Sequence, residues 1–536
     1  MAQTKAVVIG TGAGGLTAAA TLAKGGMEVI ALERAKQLGG FLNPFKRRKY
    51  HFDPGVHYVG QAFEGGQLHR VLRRFDLDAT ELFCEMDPDG FDVIRFPGFE
   101  MRVPKGVDRF RGRMIEAFPE DAGELNAFFD QLVQVRELTL LPGAKASMAA
   151  KLGALRGLGA CGKWYLQTFG QLLERSFRNP QVRAVLGAQC GDYGVPPAQA
   201  PALLGVMLIL HFLDGSYFPR GGSGGLRDAL VERGRGYGAS YRRRAEVASI
   251  EVDDGRVRGV TLADGEFIEA DVVVSAIDPS LTYGQLIDAA HLPRRIVAKA
   301  RETTPSVASL CVFLGLERDL RNHGLGAFNV WDYPTWDVDA AFRPACEGRL
   351  PEDHAFFLSP NSLKDDTGTM APEGCSTLEI VTLAAHEPFA RWADEPVLRR
   401  SEAYEDFKAR TAAGLMAAVE RRWPGLVGDV AVEDVATPVT NQHFVGSPAG
   451  SIYGPMATRD QWGHKAYRTT GPVAGLFHAG AGVLGPGVVP CLASGVTAGK
   501  AALASTAVRR SVFGALPSGI DQLSRLGRRT RSLAGF

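Results

Sequence analysis

Residues 7–34, "VVIGTGAGGLTAAATLAKGGMEVIALER", limit the possible folds of this chain more than any other stretch. Gly10, Gly12 and Gly15 stand in G-x-G-x-x-G spacing, but 64 glycines in 536 residues would produce roughly one such match by chance. The order of the surrounding pattern carries the weight. A short β-branched run at 6–9 precedes the glycines, an Ala- and Leu-rich stretch without a breaker follows at 16–23, and Gly25-Gly26 closes it before a second apolar run at 27–32. Strand, tight turn, helix and strand are therefore expected, with Glu33 ending the second strand. A carboxylate there accepts the hydroxyl hydrogens of an adenosine ribose and repels a 2′-phosphate, so the unit predicts a dinucleotide whose ribose is unphosphorylated. The pyrophosphate of such a ligand is matched by the free N–H groups at the helix N-terminus.

Composition narrows the remaining classes. With 45% hydrophobic and 22% charged residues and a formal net charge of +1, the chain has no global bias toward nucleic acid, and none is expected as a partner. Its length predicts at least two domains. The nucleotide-binding strand begins within a few residues of Met1 with no leader pattern, which predicts a cytoplasmic location. Seven scattered cysteines without C-x-x-C spacing, and eleven histidines without H-E-x-x-H spacing, give no basis for a metal centre or a redox dithiol. The apolar run "APALLGVMLILHF" (200–212) is too short to span a bilayer and reads as a buried helix or as the wall of an apolar tunnel.

Further along, "AEVASIEVDDGRVRGVTLADGEFIEADVVVSAI" (245–277) predicts strand, Asp-Gly turn, strand, turn and a buried strand at 271–277. Near the end, "GLFHAGAGVLGPGVVPCLASGVTAGKAAL" repeats the strand, glycine turn and helix order. Nucleotide-domain pieces are thus expected at the start, middle and end of the chain. Residues 221–225, "GGSGG", match the G-x-S-x-G nucleophile elbow of α/β-hydrolases. The preceding "LDGSYFPR" contains Gly215 and Pro219 and does not read as a buried central strand, which argues against a hydrolase.

Several segments resemble the flavoprotein superfamily of phytoene desaturases, carotenoid isomerases and retinol saturases: "FDPGVHYVG" (52–60), "GDYGVPP" (191–197), "YFPRGGSGGL" (217–226), "SLKDD" (362–366) and "TPVTNQHFVGSPAGSIYG" (437–454). They look most like the all-trans-retinol 13,14-reductase branch. The resemblance implies an α/β fold in which a Rossmann-type FAD-binding domain (1–75, 215–300, 436–505) interleaves with an α+β substrate domain (76–214, 301–435), followed by a basic tail. It implies FAD held by Gly10, Gly12, Gly14, Gly15, Glu33, Arg34, Gly39, Gly40, Val247, Gly480, Gly487 and Val488, with His57 and Tyr58 near the substrate. One departure stands out: the superfamily carries an acid after the C-terminal glycine, and this chain has Gly480-Ala481.

The activity implied is saturation of a double bond in a hydrophobic polyene by hydride transfer from reduced flavin and protonation. Desaturation and cis-trans isomerisation on the same fold stay open, as does a flavin-free prenyl-lipid carrier of the Rab escort type. The electron donor is external and unspecified. Two basic, partly apolar stretches, 145–163 and 509–536, suggest peripheral docking on a membrane surface, from which a polyene would enter.

Overall fold

The computed structural model describes residues 3–139, 159 and 161–514. Five parallel strands form the nucleotide-type sheet: β1 (Lys5–Ile9), β2 (Glu28–Glu33), β3 (Ala239–Arg243), β4 (Val272–Ser275) and β5 (Leu476–His478), in the order β3-β2-β1-β4-β5. All four pairings are parallel. β4 is buried along its whole length, as the Val-Val-Val run requires of a strand covered on both faces. The Asp-Gly turn predicted after residue 253 is present: Asp254 and Gly255 both have positive φ and join Val247–Asp253 to Arg256–Leu262 in a three-stranded antiparallel sheet.

Helix α1 (Ala13–Lys24) starts at Gly12, whose extended backbone caps it, and stops at Gly25-Gly26, where Gly26 has a φ of +85°. Against α1 packs α3 (Val488–Gly514). The residues Val488–Thr506 are long and apolar enough to cross a membrane, yet Leu492, Val496, Ala498 and Ala502 are buried in clusters shared with α1. Contact this close needs glycine. A Cβ on Gly495 would lie 2.0 Å from the Gly14 carbonyl oxygen, and one on Gly499 would lie 2.7 Å from Thr21 Cβ. Thr17 Oγ1 adds a hydrogen bond to the Leu492 carbonyl at 2.8 Å.

A seven-stranded sheet forms the second layer system. Its order is Val430–Ala436, Ala308–Leu316, Ser376–Ala384, Phe356–Ser359, Asn329–Asp332, Asp92–Phe96 and Phe99–Val103, with one parallel pairing, between Asn329–Asp332 and Asp92–Phe96. Helix α2 (Ala202–Leu213), which takes up most of the apolar run at 200–212, packs into the large cluster beside this sheet.

One sequence expectation fails here. Ser216–Pro219 is a strand, buried at all four residues, and it is the centre of a three-stranded antiparallel sheet with Val59–Gly60 and Phe83–Glu85. Gly215, at a φ of +116°, turns the chain into it, and Pro219 occupies its last position. The hydrolase reading falls for another reason. Ser223 is fully buried and its hydroxyl donates to Asp53 Oδ1 at 2.9 Å, so it is not presented as a nucleophile.

Candidate functional site

The carboxyl ends of β1, β2, β4 and β5 open onto one cavity of about 750 Å3, as expected for a ligand site of an open parallel sheet. Of the residues expected to hold a cofactor, Gly10, Gly12, Gly14, Glu33, Arg34, Gly39, Gly40, Val247, Gly480, Gly487 and Val488 all line it. Gly15 does not. Its Cβ would fall 2.0 Å from the Gly10 carbonyl oxygen, so it serves the tightness of the turn. Gly12 is the reverse case, because a Cβ there would meet nothing within 4 Å and would project into free space.

Glu33 holds this wall together. Its Oε2 accepts from Thr11 N at 3.1 Å and Thr11 Oγ1 at 2.6 Å, and its Oε1 accepts from Ala35 N at 3.0 Å. Gly39 N donates to Thr11 Oγ1 at 3.1 Å, which ties the Gly39-Gly40 turn to the same acid. Two carboxylate oxygens offer about four acceptor sites, so capacity for a ligand hydroxyl remains. Arg34 turns its guanidinium to the Gln442 and His443 carbonyls, linking the end of β2 to the helix Pro438–Val445.

The N-termini of α1 and α3 both reach the cavity, through Gly12 and Val488. After β4, Asp278 also lines it. Its Oδ1 accepts from Ser280 N and Oγ, while its buried Oδ2 has no partner, and burial raises its carboxyl above the usual range. A Cβ on Gly454 would lie 3.3 Å from Ala481 Cβ and 3.8 Å from Asp278 Oδ2. An orphaned carboxylate oxygen thus stands beside the place where the superfamily pattern expects an acid and this chain has Ala481. Open space at Gly12, two helix N-termini, an acid with spare acceptor sites and an unpaired Oδ2 all fit a dinucleotide.

The opposite wall is aromatic and aliphatic, with Trp331, Phe342, Phe357 and Leu383 from the seven-stranded sheet and its flanking helix. A smaller cavity of about 200 Å3 adjoins it, and Gly55, Val56, His57, Asp192, Tyr453, Gly487 and Val488 line both. Leu204, Met207, Leu208 and Phe212 of α2 line this second space, so the helix serves as core and as wall. His57 Nδ1 lies 3.1 Å from Glu379 Oε2. Tyr58 is buried with its ring stacked on Phe212 at 4.2 Å, lines the smaller cavity alone, and points its hydroxyl at Asp92 and Asp192.

Behind these residues lies a cluster of buried charges that sequence reasoning missed. Lys364 Nζ donates to the His57 carbonyl at 2.7 Å, Asn329 Oδ1 at 2.7 Å and Ser359 Oγ at 2.6 Å. Burial pulls its ammonium down to about 7 and pushes Asp53 up to about 6 and Asp92 up to about 7. Asp192 and Lys364 sit inside the quoted segments "GDYGVPP" and "SLKDD", but no local spacing shows that they meet.

Residues 13–501 match the family of flavin containing amine oxidoreductases. The chain belongs to this family. It is an FAD-dependent oxidoreductase, and its resemblance to the phytoene desaturase and retinol saturase superfamily is borne out by its relatives. It is 26% identical over 526 residues to an all-trans-retinol 13,14-reductase of Danio rerio, covering 93% of this chain and 86% of that protein. A 4,4'-diapolycopene oxygenase of Methylomonas sp is 27% identical over 521 residues, 91% of this chain and 95% of that one. Among solved structures, an oxidoreductase from Methanosarcina mazei superposes with a TM-score of 0.63 at 16% identity, over 92% of this chain and 99% of the other. Family and neighbours agree on an α/β FAD-binding fold.

Proposed function

We propose that this flavoprotein saturates a carbon–carbon double bond in a hydrophobic conjugated polyene of the carotenoid or retinoid class. The observation that carries the reading is the single cavity with a dinucleotide wall on one side and Trp331, Phe342, Phe357 and Leu383 on the other. Relatives named for retinol and diapolycopene chemistry favour the same substrate class. On this reading 1–75, 215–300 and 436–505 form the cofactor unit, and 76–214 with 301–435 form the substrate unit.

The residues divide the work. Gly10, Gly12 and Gly14 let the backbone at the α1 N-terminus approach the pyrophosphate, and Glu33 accepts the ribose hydroxyls. Gly39 and Gly40 let the chain pass close to the same group, and Val247 meets the adenine. Gly480, Gly487 and Val488 bound the flavin end, with Asp278 Oδ2 as the polar anchor that Ala481 does not supply. When bound, FAD supplies the hydride chemistry, and an external donor reduces it. The aromatic wall orients the polyene and excludes water.

Met207 and Leu484 line the smaller cavity and are 43% exposed, as is Tyr165, and Leu166 is 71% exposed. These side chains support docking of the cavity mouth on a lipid surface. Most of the two basic stretches suggested for docking, 145–163 and 509–536, lies outside the described residues.

The test is anaerobic incubation of chemically reduced holoenzyme with carotenoids and retinoids. Products two mass units heavier are expected. Products two units lighter, or unchanged in mass with altered geometry, would replace saturation by desaturation or isomerisation.

A further inference from the structure

Tyr58 has one hydroxyl hydrogen and two carboxyl groups against it. Its oxygen is 2.6 Å from Asp192 Oδ2 and 2.9 Å from Asp92 Oδ2. One hydrogen cannot serve two ionised acceptors, so one carboxyl group carries its own proton and donates it to Tyr58. The other donors decide which. Asp92 Oδ2 also accepts from Gln189 Nε2 at 2.6 Å, and Asp92 Oδ1 accepts from Asn329 Nδ2 at 3.2 Å. The Lys364 ammonium stands directly behind Asn329. Asp92 is thereby held as the acceptor.

The Asp192 side chain makes one hydrogen bond among the described residues, to Tyr58. Burial, followed by the neighbouring Asp92 charge, raises its carboxyl well above the usual range. The chain of donors therefore runs from Asp192 Oδ2–H to Tyr58 Oη, and from Tyr58 Oη–H to Asp92 Oδ2. Asp192 also lines both cavities, among Trp331, Tyr453 and His57, and is partly buried there. A neutral carboxylic acid at the wall of an apolar chamber can turn its hydrogen from Tyr58 Oη to a substrate atom lying there and act as a proton donor.

We propose that Asp192 is the general acid of this site and protonates one carbon of the double bond being saturated. The inference rests on the saturase reading. The acid hydrogen leaves Tyr58 Oη, the Asp192 O–H bond breaks with its electron pair staying on the carboxylate, and the proton forms one C–H bond with the π electron pair of the double bond, which thereby breaks. The other C–H bond forms from the hydride and its two electrons, so the double bond gains two hydrogens. The Tyr58 hydrogen then turns from Asp92 to the newly ionised Asp192, while Gln189 and Asn329 continue to hold Asp92. A proton from water restores the acid. Tyr58 and Asp92 are positioning residues.

Two measurements on the holoenzyme test this. Infrared spectra at pH 8 in H2O and D2O should show the carbonyl band of a protonated carboxyl that is missing from Asp192→Asn and retained in Asp92→Asn. The opposite pattern puts the proton on Asp92 and overturns the proposal. In single turnovers of the reduced enzyme, Asp192→Asn should keep its flavin content and its polyene-induced spectral shift but form product roughly 10²- to 10⁴-fold more slowly. Equal rates for wild type and variant sink the acid role alone. A wild-type enzyme that saturates no polyene sinks the saturase reading, and the acid role with it, whatever the infrared shows.

Discussion

Gly12 and Gly15 look equivalent in the fingerprint, but their surroundings are opposite. Gly12 has φ −61° and ψ 178°, a conformation open to any residue, and empty space where its side chain would be. Gly15 faces the Gly10 carbonyl at a distance no Cβ tolerates. Gly12→Val should therefore fold with the melting temperature of the flavin-free wild-type protein and lose most of its flavin, because the new side chain fills the approach to the α1 N-terminus. Gly15→Val should accumulate as insoluble or strongly destabilised protein. Flavin absorbance per chain together with thermal unfolding separates the two, and a fully flavinated Gly12→Val would remove this loop from the cofactor site. Spacing marked both glycines but could not distinguish them, since the difference lies in what each faces across the turn. The charge cluster was still less legible: Asp92, Asp192, Asn329 and Lys364 are far apart in sequence, and no local spacing joins them.

Among the elements, α1 and α3 show how composition misleads and packing corrects it. By length and hydropathy the start of α3 resembles a membrane span, yet Gly495 and Gly499 exist to let it lie against Gly14, Thr17 and Thr21. Gly495→Leu should force the helices apart at a backbone contact, costing roughly 1–3 kcal/mol or more. Since the α3 N-terminus reaches the cavity, flavin retention should fall together with the melting temperature. A variant with wild-type stability would show that this contact can relax freely. The repeated strand, glycine turn and helix order was readable at both ends of the chain because it is local. The Ser216–Pro219 strand was not, because its pairing partners come from 59–60 and 83–85 and its own residues carry the marks of a turn.

For the whole molecule, docking on a bilayer is the property to measure. If the exposed apolar side chains around the smaller cavity rest on lipid and the basic stretches assist, binding to anionic vesicles should weaken sharply with salt, since each Lys or Arg near the surface contributes roughly 1 kcal/mol. Deleting residues 509–536 should weaken it further. Sedimentation without any binding at low salt would eliminate the membrane reading, and equal binding to neutral vesicles would leave only its apolar part. The parallel sheet also dictates a schedule for making the protein. β1 must wait for β4, some 260 residues later, to gain its second neighbour, and β4 keeps an open edge until β5 emerges another 200 residues on. At about 5–20 residues per second, that second wait alone occupies roughly 10–40 s on the ribosome. Through that interval the nascent chain carries an unpaired Val-Val-Val edge, the kind of surface that recruits chaperones or other unfinished chains.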